Sequence, residues 1–195
     1  MFENLEDCLA DCRNRLIRAP RDRRSPMHTP VVVSGDVDAR VMVLRAFDAD
    51  GWRLRFHTDA RAPKAAVFAA DPRAALLFYD KGAKVQIRAR GAAAIIGQGP
   101  EVDAAWAAST NFARRCYLGD GPGTASDVPT SGLPPEFEGV EPDDAQLLPA
   151  RENFALLAIT LTALDWFYLA HTGHVRAQFT RDPAGGAWEG RWVSP

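Results

Sequence analysis

Lysine and cysteine are both scarce in this 195-residue chain: its lysines are Lys64, Lys81 and Lys84, and its cysteines Cys8, Cys12 and Cys116. Three scattered thiols cannot staple a small secreted scaffold, so they point to a reducing compartment rather than a disulfide framework. Cys8 and Cys12 lie four apart, on one face of a helix expected over residues 3–17, but no nearby His or Cys would complete a metal site. The pair reads as helix packing, and no metal is expected. With lysine rare, arginine must supply most bidentate recognition of anions. A dominant charge is lacking too: 23 Lys plus Arg stand against 25 Asp plus Glu, a formal net charge of −2. No global field therefore invites nucleic acid or an anionic membrane, and any anion must be caught locally. No apolar run is long enough to span a bilayer, and the acidic start Met1-Phe2-Glu3-Asn4 lacks the basic region of a signal peptide. The expected location is the cytoplasm. Also absent are a phosphate-binding loop, a Rossmann glycine fingerprint, a His-Glu-x-x-His zinc helix and a Gly-x-Ser-x-Gly elbow, which excludes the chemistries those motifs serve.

What is present is enough apolar residue, 47%, to bury one substantial core, and residues 1–195 are read as a single domain. Leu5, Cys8, Leu9, Cys12 and Leu16 recur at helical intervals, with acids early and arginines late as the helix dipole prefers. After a charged linker through Pro26, the pattern changes to period two and β-branched runs. Strands are expected around residues 30–34, 40–45, 52–57, 74–79 and 84–96, with a short helix opening at Ala62-Pro63 between the third and fourth. Residues 101–118 look helical. Residues 119–150, rich in Gly, Pro and acids, read as a long functional loop, a lid or an interface. Strands then return at 153–162, 163–169, 174–180 and 188–193. The predicted class is mainly β: an antiparallel barrel of about eight strands with flanking helices.

Polar side chains stand inside or at the ends of these strands: Arg40, Arg45, Thr58, Lys64, Gln86, Arg88, Trp166 and Arg176. Taken singly they are exposed strand positions; lining one barrel mouth, they suit an anionic aromatic ligand. Arg40-Val-Met-Val-Leu-Arg45, Phe56-His-Thr58, Lys64-Ala, Ala74-Ala-Leu-Leu-Phe-Tyr79 and Gln86-Ile-Arg88-Ala-Arg-Gly91 follow one another in an order and spacing that resembles the pyridoxamine 5′-phosphate oxidase family. Asp165-Trp166-Phe, His174-Val-Arg176 and the stretch from Trp188 to Pro195 resemble that family's closing segment. The resemblance covers roughly residues 29–98 and 153–195.

It implies an FMN-binding split barrel and a homodimer with FMN at the subunit interface, and thus an oxidoreductase chemistry in which bound flavin oxidises a small anionic substrate and oxygen restores it. By the same resemblance Arg40 and Lys64 grip the FMN phosphate, the backbone of Val41, Met42, Val43 and Leu44 lies along the cofactor with His57 and Thr58 beside it, and Gln86 meets the ring. Trp166 and Arg176 reach the flavin from the second subunit. Arg45 stands where the family has a lysine, and Arg61 folds back to replace a missing phosphate-binding arginine. Arg115, His174 and Arg176 orient the substrate as the candidate catalytic residues, although His174 also reads as a packed strand histidine. The departures lie on the substrate side. Asn111 and Gly119 flank Arg115 where the family has Tyr and Ser, and Thr172 replaces an arginine, so pyridoxamine phosphate need not be the substrate. The alternatives left open are a non-catalytic flavin-binding or flavin-sensing protein and, further off, a barrel for haem or a deazaflavin.

Overall fold

Asn4 starts the first helix by accepting a hydrogen bond from the Asp7 N–H, one of the donors a helix start leaves without a partner. The computed structural model describes residues 2–182 and 184–195 and runs this helix, α1, over Leu5–Arg18. Its buried stripe is Cys8, Cys12 and Leu16, so the two thiols do pack. Burial, then Asp11 and Asp7, push the Cys8 thiol up to about 11. Burial drives Cys12 upward as well.

The strands are β1 (Val31–Val33), β2 (Ala39–Val41), β3 (Leu44–Asp48), β4 (Arg53–Asp59), β5 (Arg73–Asp80), β6 (Val85–Ile96), β7 (Phe154–Tyr168), β8 (Val175–Thr180) and β9 (Glu189–Trp192), with α2 (Pro63–Ala70) after β4. They form one sheet in the order β2-β1-β5-β6-β7-β4-β3, and β8 joins β7 while β9 joins β8. This curled sheet with flanking helices is a split barrel. The nine described strands exceed the expected eight or so, but the class is as read from the sequence. Alternation sets the inward face: on β5 Ala74, Leu76 and Phe78 are buried while Leu77 and Tyr79 are exposed. Gly91 allows β6 a close approach to the main chain of β7, since a Cβ there would sit 2.0 Å from the Thr160 carbonyl oxygen.

Two elements differ from expectation. The two strands expected at 153–162 and 163–169 are one 15-residue strand, β7, because no turn residue interrupts Leu161-Thr-Ala-Leu164. The helix expected over 101–118 is broken into α3 (Pro100–Ala107), α4 (Asn111–Arg114) and a 3₁₀ turn at Arg115–Tyr117. Thr110 explains the break, because its hydroxyl accepts from the Ala113 N–H and caps a new helix. Between 119 and 150 there is a 3₁₀ turn at Pro135–Phe137 and the start of another at Leu148–Asn153, with no described strand.

The chain gathers into two compact units interleaved in sequence. The first comprises Met1–Phe56, Asp71–Ala93 and Ala158–Pro195; the second comprises His57–Ala70 and Ala94–Leu157. The first unit's core includes Leu44, Leu54, Phe56, Phe78, Ile87 and Trp166, all fully buried. The second unit's core is Val102, Ala105, Phe154 and Leu156, with Trp106 and Tyr117 packed against them.

Candidate functional site

In the first unit, strand pairing gathers a polar cluster around Asp165. Register sets Asp165 opposite Gln178 and Phe167 opposite Arg176 across β7 and β8, so these four share one face. The Asp165 carboxylate accepts from Arg176 Nε at 2.9 Å and Nη2 at 2.7 Å, from Gln178 Nε2 at 2.9 Å, and from Arg88 Nη2 on β6 at 2.5 Å. Burial alone would raise the Asp165 carboxyl; the hydrogen bonds from Arg176, Gln178 and Arg88 outweigh it and hold the group below the usual carboxylate range. Asp165 in turn raises Arg176. The His174 ring meets Phe167 edge-on at 5.4 Å, and the Arg176 guanidinium lies 5.9 Å from the same ring centre. A cleft of about 710 Å³ opens beside the cluster, with Leu77, Arg88, Arg90, Asp165, Gln178 and Arg191 in its lining.

Trp166 lies elsewhere. It is fully buried on the opposite, core face of β7, and its indole N–H donates to Asp11 of α1 at 2.8 Å. One step along a strand reverses a side chain, so the aromatic that shares a face with His174 and Arg176 is Phe167. The sequence reading named Asp165 and Phe167 in the motif but gave them no role, and it passed over Gln178. The two-residue alternation Asp165-x-Phe167 against Arg176-x-Gln178 was the signal that could have found them.

The other candidates of the first unit lie on β2, β3, β6 and the connection between β2 and β3. Arg40 is half-buried and already engaged: Nη1 donates to Ser34 Oγ at 2.9 Å, and Nη2 pairs with Asp38. Val41 is exposed, whereas Met42 and Leu44 are buried and Val43 lies between. Arg45, at the bulge where β3 meets β4, is exposed and has no hydrogen-bond or ion-pair partner among the described residues. Gln86 is half-buried on β6, opposite Tyr79.

In the second unit, Asp59 is the local organiser. It is buried and accepts from Arg61 Nε at 3.0 Å and Nη2 at 2.7 Å, while Arg61 Nη1 reaches the Gly119 carbonyl at 3.0 Å. Arg61 thus does fold back, onto its own Asp59. Thr58 is buried beside it. His57 sets its ring edge-on to Phe154 at 4.9 Å. Lys64 stands half-buried in the first turn of α2. Arg115 is turned to the long loop, donating from Nη1 to the Phe137 carbonyl at 2.7 Å and the Val140 carbonyl at 3.0 Å, with its guanidinium 4.0 Å from the Phe112 ring centre.

The sequence profile of the family described as pyridoxamine 5′-phosphate oxidase matches residues 31–128, half of the chain. The chain belongs to that family. Among curated members, the pyridoxine/pyridoxamine 5′-phosphate oxidase of Maricaulis maris (strain MCS10) is 33% identical over 113 residues, 58% of this chain and 48% of that protein. The chain therefore matches about half the length of that relative. Among solved structures, a pyridoxamine 5′-phosphate oxidase-related, FMN binding protein from Nostoc punctiforme PCC 73102 superposes with a TM-score of 0.72 at 23% identity, covering 95% of this chain and 96% of that one. PhzG from Burkholderia lata 383, solved with tetrahydrophenazine-1-carboxylic acid, gives a TM-score of 0.68 at 15% identity, covering 96% and 92%. At these identities the structures establish the shared fold. Among the described residues, no helix is long and apolar enough to cross a membrane.

Proposed function

We propose that this family member binds FMN as a homodimer and is an oxidoreductase for a small anionic substrate. The observation that carries the reading is the family match over residues 31–128, a span that holds Arg40, Arg45, Lys64, Gln86 and Arg115. The donor chemistry of each unit suits the cofactor. In the first unit Arg45 supplies a cation for a phosphate, Gln86 an amide for a planar ring, and Val41 to Leu44 a run of backbone polar groups; in the second unit Lys64 supplies a further cation. His57 and Thr58 border the same β4–α2 segment. Bound FMN supplies a two-electron acceptor, and the protein contributes position and charge. Arg40 serves a phosphate only by sharing it with Asp38. Trp166, committed to Asp11, is replaced in our assignment by Phe167 as the aromatic partner of Arg176. His174 and Arg176 remain the groups that would orient an anionic substrate. Arg61, with Asp59 on two of its nitrogens, drops from the phosphate set.

A second reading, a flavin-binding protein without catalysis, is favoured by one observation: Arg115 donates to loop carbonyls and Arg176 to Asp165, so neither cation stands open for a substrate. An absorbance spectrum of the purified protein, followed by aerobic assay with pyridoxamine phosphate and pyridoxine phosphate, separates the two. Paired near-ultraviolet and blue bands with turnover of either vitamer support the oxidase. The same bands without turnover leave the binding role or another substrate. Protein that neither carries nor takes up FMN sinks both.

A further inference from the structure

Residues 119–150 hold seven acidic residues and no lysine, arginine or histidine, which leaves 23 basic against 18 acidic residues in the rest of the chain. All seven carboxylates are exposed; Asp144 is ion-paired with Arg114 at 3.2 Å, and Asp120 acts on Arg61 through space. The segment is nonetheless tied down within the second unit. Asp120 N–H donates to the Gly132 carbonyl at 2.8 Å, Arg115 holds the carbonyls of Phe137 and Val140, and the Phe112 N–H donates to Glu141 at 3.2 Å. Val128, Val140 and Leu148 protrude from it, 67%, 53% and 74% exposed. An ordered acidic strap with apolar points loses less conformational freedom on docking than a free loop would.

The first unit carries the complementary surface. The cleft beside Asp165 continues into a second one of about 620 Å³ that shares Val33, Ala75, Arg90, Ala163 and Thr180 with it. Five arginines line the pair, Arg73, Arg88, Arg90, Arg181 and Arg191, against Asp165 and Glu189. Arg73 is paired with Asp71 and Arg88 with Asp165. Arg90, Arg181 and Arg191 have no carboxylate partner among the described residues; Arg181 holds backbone carbonyls and Arg191 the amide of Gln178. Exposed Leu77 gives the cleft an apolar edge.

We propose that the acidic strap of one protomer docks in the arginine-lined cleft of a second copy. The inference rests on the homodimer of the functional reading and adds the surfaces that hold it. Opposed charge steers the encounter and fixes the register, while the apolar points supply burial. In a two-fold dimer the contact occurs twice.

Charge reversal tests it by equilibrium sedimentation, with circular dichroism to confirm folding and absorbance to follow FMN. At low salt, Arg90→Glu with Arg191→Glu should weaken the wild-type dimer by about tenfold or more, and Asp127→Lys with Glu136→Lys should do likewise. A chain carrying all four changes should recover most of the loss. Raising salt to about 0.5 M should narrow these differences. Folded variants that dimerise as tightly as wild type, a quadruple variant no better than either double, or a wild-type chain that stays monomeric would each overturn the proposal. If dimers ignore the reversals but carry FMN, the docking fails and the flavin reading stands. If the reversals act on a dimer that takes up no FMN, the flavin reading alone fails.

Discussion

Three side chains converge on one carboxylate at Asp165, and that arrangement sets how the first unit responds to acid. Its folded value lies below the ordinary one, so the folded state binds this proton less readily than the unfolded chain. Its contribution is fully present above the unfolded value, near 4, and is lost as the pH falls through the folded value. Asp165→Asn should cost about 1–3 kcal/mol at pH 7, since Arg176 would be left without its acceptor. The difference from wild type, followed by urea denaturation, should shrink as pH drops below about 4. Thiol titration offers a second check at this scale. Cys8 is pushed to about 11 and Cys12 is raised and buried, while Cys116 is exposed. Native protein at pH 8 should therefore release one equivalent of thiol to an aromatic disulfide reagent and three after denaturation. Residue roles were the least legible part of the sequence. A motif read in one dimension fixes which residues are near one another, but strand parity decides which face they take. Trp166 takes the core face and Phe167 the face of Arg176 on that account.

Elements were far easier to read. The α1 boundaries follow from Asn4 and from arginines placed late, and the hairpin pattern of β5 and β6 follows from alternation on both strands. The misreadings have local causes: Thr110 was an overlooked cap, and the break expected between Thr162 and Ala163 fails because no turn residue stands there to end the strand. The close approach of β6 to β7 at Gly91 was invisible in sequence, since it depends on strands about 70 residues apart. Gly91→Ala should cost more than about 2 kcal/mol, because the obstructing atom is a backbone carbonyl and cannot swing away. The thermal midpoint should fall by several degrees. A variant as stable as wild type would mean that the β6–β7 spacing relaxes freely.

At the scale of the whole molecule, binding and stability are linked. If FMN binds the folded chain alone, adding it at about 100 times its dissociation constant should stabilise the protein by about 2.7 kcal/mol. A thermal scan with FMN and with riboflavin measures this, and the phosphate-bearing form should give the larger shift if Arg45 and Lys64 hold that group. Equal shifts would argue that the cations do not meet the phosphate. The barrel class was legible because short β-branched or alternating runs recur between turn residues along the chain, whereas the gathering into two compact units depends on contacts between segments far apart in the chain.

The hydrogen bond from Trp166 to Asp11 joins residues 155 apart in sequence. The first helix made is therefore completed by one of the last strands. At roughly 5–20 residues per second, α1 waits on the order of 8–30 s on the ribosome before its partner strand exists. During that interval the stripe of Cys8, Cys12 and Leu16 lacks part of its cover, because α1 packs on β3, which is made early, and also on β8 and β9, which are made last. Thiols that the finished fold renders inert are thus open to oxidants and chaperones while the chain is being made, and the vulnerable period of this protein falls during its synthesis.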